Sequence, residues 1–546
     1  MEIVSVETYL LLLLLWLFST LFVHSYLKIS RRNNNSTVPP SVPSRLPPTP
    51  LALPLVGHLY LFGPLQHRSF RTIARRFGPL VRLRLGSLGY LVSVCSPAVA
   101  KELFKTNDIN FASRPRLAGL EYIGEGDSRF AFASYGPYWK FMKKLCVNEL
   151  FSTRKLDRMV RIRREELHWL LGSLSERAGA QEPADMDALL TALTNNIICR
   201  MAMSTRCSGN MNDAEVCKKV VQELIEIAAK LNLVNVLGFL GGMDVLGYGK
   251  RLTDVHGKFM TMVERIMKEH EEKQQRKRKQ MSGTGGDGEE YHEQEQEEDL
   301  MDILLKASQD DKAEIKLQRD EIKVFLQDLF IAGTETASVA MQWALAELIN
   351  HPGAFKKMRD EIERAIGNSC RVVEDSDIPN LPYVQATIME TLRLHPAVPL
   401  ILRESSRDCT VAGFDLPAKT KACINVWAIN RDPDEWKDPD EFHPERFLNS
   451  DGTLRIGSGD MKGQNFHFLP FGGGRRMCPG TSLALRVMHV TVAAMVQCFD
   501  YRLVGGATKV NMRETGGFTL RMAHPLHCIP LPRTNKSFYL CKRNDE

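Results

Sequence analysis

Apolar positions along the chain form three successive patterns. Near the N-terminus, Tyr9 to Leu27 reads YLLLLLLWLFSTLFVHSYL, nineteen largely apolar residues. At 1.5 Å rise per residue a helix of that length reaches roughly 28 Å, about one hydrocarbon core. From Phe77 to Val94 the text turns into short runs, GPLVRLRLG and YLVSV, parted by turn residues, which predict strands. Helical periodicity dominates the remainder. It predicts a helix over Glu321–Asn350, thirty residues without proline, and a buried apolar helix over Thr481–Phe499.

Charge then orients the ends of these elements. The N-terminal segment is acidic in front (Glu2, Glu7) and basic behind (Lys28, Arg31, Arg32), with no cleavage site. That asymmetry predicts an uncleaved membrane anchor over 1–27 with the remainder on the cytosolic side, so the sequons at Asn34 and Asn35 stay unglycosylated. A basic and proline-rich linker follows over 28–54, and proline favours an extended spacer. The catalytic unit is expected over 55–546. Within it, the stretch 270–299 is a basic block, a glycine-rich break and an acidic block with almost no apolar residues, and it predicts a mobile loop. The chain has 546 residues, 44% hydrophobic, ample for a large core. A net charge of +6, with 65 acidic residues interleaved, makes no electrostatic case for nucleic acid. Twelve cysteines without CxxC pairs suggest neither a zinc site nor a disulfide framework.

Candidate chemistry centres on FGGGRRMCPG, Phe471 to Gly480. Cys478 stands at the start of the buried helix, where unpaired amides and the helix dipole favour a thiolate. Gly472, Gly473 and Gly474 remove side chains where a flat group would lie close to the backbone. The combination suits a thiolate ligand to haem iron; the plain alternative is a buried cysteine after a glycine turn. In YGPYWKFMKKLC, Trp139 and Lys143 are four apart on one helical face, able to hold a propionate, or else a core tryptophan and a surface lysine. The run AGTET interrupts the long helix with small and polar residues. Gly333 there needs a reason worth about 1 kcal/mol, and close approach to a flat cofactor supplies one. Glu335 and Thr336 would then project a carboxylate and a hydroxyl near the iron; the alternative is a helix crossing with the threonine bonded back to its i−4 carbonyl. In ETLRLHP, Glu390 and Arg393 are three apart on one face.

Five motifs, WxxxK, AGTET, ExxR, PERF and the cysteine decapeptide, stand in the order found in cytochrome P450 monooxygenases, and the chain resembles that family over roughly residues 50–533. The resemblance implies a mainly α-helical fold with a small β-rich lobe, preceded by one N-terminal transmembrane helix. It implies haem b, with Cys478 as axial iron ligand and Phe471, Gly474, Arg476 and Gly480 at signature positions. Trp139, Lys143 (where the family usually has arginine) and Arg403 are implied to meet the propionates. Glu335 and Thr336 correspond to the proton-relaying acid–threonine pair, and Glu390, Arg393 and Arg446 to a buried structural triad. Pocket residues would come from Arg116–Ser134, from 215–245, from Ala332, Ala397–Ile401 and Gly516–Thr519, with Leu120, Val398, Leu400 and Phe518 giving it an apolar character. No GxGxxG lies between a strand and a helix, so electrons come from a separate protein; the resemblance implies NADPH through the membrane-bound NADPH–cytochrome P450 reductase, with Arg475 among the basic residues that could dock it. The implied location is the endoplasmic reticulum membrane, single-pass, facing the cytosol. Within the family the chain looks closest to plant enzymes that oxidise flavonoids (flavone synthase II, flavanone 2-hydroxylase, isoflavone synthase, pterocarpan hydroxylase), which implies a flavanone oxidase. The alternatives are an isoflavonoid or pterocarpan hydroxylase, a triterpenoid hydroxylase, and, in another class, a reductase-independent haem-thiolate isomerase or dehydratase.

Overall fold

The computed structural model describes residues 45–54, 56–86, 89–116, 129–205, 247–283, 299–310, 312, 314–367, 371–455 and 463–533, with Leu13, Trp16, Leu17, Ser19, Thr20, Glu223 and Ile227. The expected anchor, apart from the five residues named in it, and the linker as far as 44 lie outside the described residues. So do Leu120 and almost all of 215–245.

The strands predicted near Phe77 form at Leu80–Arg84 (β1) and Tyr90–Val94 (β2). They are joined from far along the chain by Leu400–Glu404 (β3) and Lys421–Asn425 (β4), in the order β1-β2-β4-β3. Leu80 stands opposite Val94 in the antiparallel β1–β2 pair, Leu91 opposite Lys421 in the parallel β2–β4 pair, and Leu400 opposite Asn425 in the antiparallel β3–β4 pair. Val81, Leu83, Val92, Val94 and Ile424 are buried, as expected of β-branched and aliphatic residues on a covered sheet. A three-stranded sheet of Ala184–Asp185, His527–Pro532 and Phe499–Leu503 and a hairpin of Cys409–Val411 with Phe414–Leu416 complete the sheets among the described residues.

Two expected boundaries move. The last part of the linker is not a spacer. The Pro48 carbonyl accepts from the Arg82 amide at 2.9 Å, Pro50 is buried with its carbonyl against His58 Nε2 at 2.9 Å, and the Arg45 carbonyl accepts from the Asp415 amide at 2.7 Å. Residues 45–54 therefore belong to the β lobe, and proline's missing donor is no handicap where only its carbonyl is used. The supposed loop 270–299 is helical as far as Gly283. Its Glu, Lys, Gln and Arg residues are good helix formers, and tertiary ties hold the helix where composition alone suggested a solvated run. His270 Nε2 meets Asp299 Oδ2 at 2.9 Å, Gln274 donates to Asp302 at 3.0 Å, and Arg319 pairs with Glu271 at 2.6 Å. Residues 284–298 lie outside the described residues.

The helices that frame the site are Pro137–Leu145 (α1), Met186–Met203 (α2), Tyr248–Gly283 (α3), Leu300–Gln309 (α4), Arg319–Asn350 (α5), Pro382–Leu394 (α6) and Thr481–Cys498 (α7). Helix α5 opens with Glu321 accepting from the Gln318 amide at 2.7 Å, one half of a capping box. It packs against α2, α3, α6 and α7. Phe325, Phe330 and Trp343 are fully buried along it, each contributing about 1.5–3 kcal/mol of burial. Helix α7 is long and apolar enough to cross a membrane, yet 83% of it is buried inside the protein: it is the second core helix. The sequence expectations for both helices hold to within two residues, with Phe499 opening a strand instead of closing α7.

Candidate active site

The cysteine loop is closed by its own backbone. The Gly472 amide donates to the Leu469 carbonyl at 3.0 Å, the Met477 amide to Gly474 at 3.1 Å, and the Cys478 amide to Phe471 at 3.0 Å. Gly472 and Gly474 adopt φ of +75° and +67°, the left-handed region that glycine enters freely. Gly473 and Gly474 are also required by close approach, but of protein. A Cβ on Gly473 would sit 3.0 Å from the Phe104 ring, and one on Gly474 would collide with the Asp108 carboxylate and lie 3.1 Å from the Phe104 carbonyl. Room for a flat group was the expectation; the segment around Phe104–Asp108 is the observed reason. Phe471 is half-buried against the main core, and Gly480 is the residue before α7, with only ordinary contacts to Phe151 and the Cys478 sulfur.

Cys478 is accessible at its surface and free of a disulfide. Burial of its surroundings pushes the thiol up, against the Gly480 amide, the Thr481 hydroxyl and the cations Arg114 and Lys143, which pull it down. The helix-terminus argument of the sequence therefore points in the right direction but is outweighed in the protein alone. A coordinated metal deprotonates a thiol outright.

Around this loop the chain gathers cations. Arg476 is buried, with its guanidinium 4.3 Å from the Trp139 ring centroid; Nε donates to the Ala112 carbonyl at 2.5 Å and a terminal nitrogen to Ala133. Arg403, buried on β3, donates to the Leu402 carbonyl at 2.9 Å and towards the Arg476 carbonyl at 3.4 Å. Lys143 crosses from α1 to the Arg475 carbonyl, with its ammonium 5.2 Å from the Trp139 ring. Arg114, which sequence reasoning missed because nothing periodic marks it, donates to the Ala131 carbonyl at 2.9 Å and belongs to the same cluster. Burial, then repulsion from Arg114 and from Arg476, holds Arg403 well below the arginine range; burial, then Arg114, brings Arg476 down to about 9. Burial and then Arg476 also lower Lys143.

The nearby carboxylates are already engaged. Asp108 pairs with Arg475 at 3.2 Å, which also ties up the cation expected to dock a partner, and Asp328 pairs with Arg129 at 3.1 Å. A buried excess of positive charge beside an accessible cysteine fits a group that brings two carboxylates with it. Haem propionates meet that description, and Trp139, Lys143, Arg403, Arg476 and Arg114 are the residues positioned to hold them.

On α5 the run AGTET lies within an otherwise buried stretch, with Ala332 exposed and Thr336, one turn on, half-buried. Gly333 faces α2: a Cβ there would meet the Ile198 side chain at 2.9 Å, so the helix crossing is itself a reason for glycine at this position. The Thr336 hydroxyl donates to the Ala332 carbonyl at 2.7 Å, the back-bond foreseen as the alternative. Glu335 is 3% exposed. Its Oε1 accepts from the Thr519 hydroxyl and from Arg521 Nε, while Oε2 is buried with no hydrogen-bond partner among the described residues.

Behind the loop, Glu390, Arg393 and Arg446 form one ion network. Arg393 Nε and a terminal nitrogen reach Glu390 at 2.7 and 2.8 Å, and Arg446 Nε reaches it at 2.9 Å. Arg393 also donates to the carbonyls of Asn430 at 3.1 Å, Pro439 at 2.6 Å and Glu441 at 3.0 Å. Asn430, fully buried and missed in the sequence, carries the connection onward: its Oδ1 accepts from the Leu469 amide at 3.1 Å, and Leu469 is the carbonyl to which Gly472 of the cysteine loop donates.

Residues 47–529 match the family model described as Cytochrome P450. The chain is 43% identical over 494 residues to 3,9-dihydroxypterocarpan 6A-monooxygenase of Glycine max, covering 90% of this chain and 94% of that protein. It is 39% identical to Beta-amyrin 24-hydroxylase of Glycine max over 534 residues, 97% of this chain and 98% of that one. Among solved structures, a zebra fish cytochrome P450 with Abiraterone superposes with a TM-score of 0.68 at 24% identity, over 86% of this chain and 99% of that one; it speaks for the fold alone.

Proposed function

The chain belongs to the cytochrome P450 family and is a haem-thiolate monooxygenase, and from that premise we propose that its substrate is a flavonoid, most closely a flavanone oxidised at C-2 or across C-2/C-3. The observation that carries the substrate class is the 43% identity, over nine-tenths of the chain, to an enzyme named for a pterocarpan. The relative named for β-amyrin, at 39%, supplies the second reading, a triterpenoid hydroxylase.

In this reading Cys478 would ligate the haem iron, and haem with a thiolate ligand would supply the oxygen-cleaving chemistry. The chain does the rest. Phe471 and Gly474 shape the ligand loop, and Gly480 brings α7 up to it. Arg476, Arg403, Lys143 and Arg114 would neutralise the propionates, and Trp139 would help to orient them. Inserting one oxygen atom into a substrate sends the other out as water, which takes up two protons, and Glu335 with Thr336 moves them: the Thr336 hydroxyl keeps two lone pairs for acceptance while its proton is held by Ala332. Val398 and Leu400, beside the loop's supporting strand, give the pocket an apolar wall. Electrons arrive from NADPH through a separate reductase on the endoplasmic reticulum membrane, to which residues 1–27 anchor the chain.

Product analysis in reductase-containing microsomes with naringenin, liquiritigenin and β-amyrin tests the reading. Oxidation of either flavanone supports it; turnover of β-amyrin alone replaces it with the triterpenoid one. Product without added reductase and NADPH would indicate an isomerase or dehydratase instead.

A further inference from the structure

The Glu335 carboxylate is divided between two environments. Oε1 is saturated by the Thr519 hydroxyl and the Arg521 guanidinium, and Oε2 is buried and unpartnered among the described residues. Both partners of Oε1 sit on one short turn that is itself pinned. The Leu520 amide donates to the Ala397 carbonyl at 2.9 Å, the Leu520 carbonyl accepts from the Trp343 indole at 2.7 Å, and the Thr515 amide donates to the Arg521 carbonyl at 2.9 Å. Trp343 lies on α5 two turns beyond Glu335, so the turn is fastened to that helix at two points. Arg521 keeps about a third of its side chain exposed (36%), whereas Glu335 keeps 4% of its own. Among the described residues, polar groups on other elements packed against α5 are engaged elsewhere: α2 presents Thr191 to Ser338 and Thr194 to the Thr334 carbonyl, His395 just past α6 pairs with Glu347, and His256 of α3 bonds Gln327.

We propose that Arg521, together with Thr519, is a positioning residue: it locks Oε1 of Glu335 so that Oε2 alone exchanges protons, and it makes this acid and the pocket-lining turn a single mechanical unit. The proposal rests on the proton-relay reading above. A carboxylate held by a guanidinium and a hydroxyl has one rotamer and one free oxygen, whereas an unheld carboxylate can rotate and present either. A substrate pressing on Gly516–Thr519 would thereby act on the acid directly.

Isotope-edited infrared spectroscopy on the ferric, substrate-free holoenzyme isolates Glu335 as the difference between wild type and Glu335→Gln. Arg521→Gln should shift the carboxylate stretching bands and lower kcat on the order of tenfold, with KM within about twofold. Arg521→Lys should restore most of both, and all variants should keep the thiolate carbon monoxide spectrum. Unmoved Glu335 bands in Arg521→Gln, or moved bands with kcat unchanged, overturn the assignment. Undiminished kcat in Glu335→Gln instead defeats the proton-relay reading itself.

Discussion

Replacing Glu390 with glutamine keeps its shape and removes its charge. The wild-type carboxylate accepts from Arg393 at 2.7 and 2.8 Å, from Arg446 at 2.9 Å and from the His443 amide at 2.8 Å. Neither Glu390 nor Arg393 is accessible to solvent. In Glu390→Gln the amide NH₂ must face guanidinium donors, and Arg393 keeps a full charge with no counter-ion. Breaking a buried pair this way costs about 3–5 kcal/mol, against about 0–1 for an exposed pair. With a typical total of about 5–15 kcal/mol, that is a large share of the fold's stability. The effect should also reach the metal ligand, because Arg393 holds Asn430, which holds Leu469 and through it the cysteine loop. The assay is urea unfolding of the ferric holoenzyme, with the carbon monoxide difference spectrum taken at each step. Lys356→Gln serves as control, since its pair with Asp360 at 2.7 Å is exposed (76% and 47%) and should matter by less than about 1 kcal/mol. A loss below about 1 kcal/mol in Glu390→Gln, matching the control, would refute the reasoning.

Cys478→Ser should abolish both the thiolate carbon monoxide band and turnover; survival of either contradicts the ligand assignment. Thr336→Ala should leave the melting temperature unchanged or slightly higher, because a threonine back-bond does little for a helix, while product formed per NADPH consumed falls; an unchanged ratio removes Thr336 from the relay. Acid should destabilise the protein through two identified carboxylates. Burial raises Glu347 and Glu514, but hydrogen bonds from His351 and His395 to the first, and from His67 with the Arg68 cation to the second, more than offset it and hold each at about 2 against an ordinary 4.5. A carboxylate depressed on folding stabilises above its unfolded value and loses that contribution as pH falls towards the folded one. The gap in melting temperature between wild type and Glu347→Gln should therefore close between about pH 4.5 and pH 2; a gap that stays constant there would falsify the assignment.

What the sequence revealed follows from how far apart the interacting residues are. Cys478 before an apolar helix, Glu390 three residues before Arg393, and Trp139 four before Lys143 are local spacings, and the structure places each pair on the face that the spacing required. The reasons behind other residues lie tens to hundreds of positions away. Gly473 and Gly474 answer to Phe104 and Asp108, and Gly333 answers to Ile198. Arg114 gains meaning only beside Arg403 and Arg476, and Asn430 only between Arg393 and Leu469. The run after Lys268 read as a loop because composition reports solvation, while Asp299, Asp302 and Arg319, which hold its first half in a helix, arrive later in the chain.

The cation cluster also marks where segments distant in sequence come together. Arginine is the side chain that stays charged under almost any burial. Crowding Arg114, Arg403 and Arg476 is therefore not readily relieved by losing protons; burial first, and then the repulsion of Arg114, pulls both Arg403 and Arg476 down. Their neutral partners are the carbonyls of Ala112, Ala131, Ala133 and Leu402, which align the guanidiniums without cancelling their charge. Arg114, Arg403 and Arg476 could hold a dianionic cofactor, which would relieve that repulsion. The segment around Arg114, strand β3 and the cysteine loop would then be held through one shared ligand, and their stability would rise with occupancy of the site.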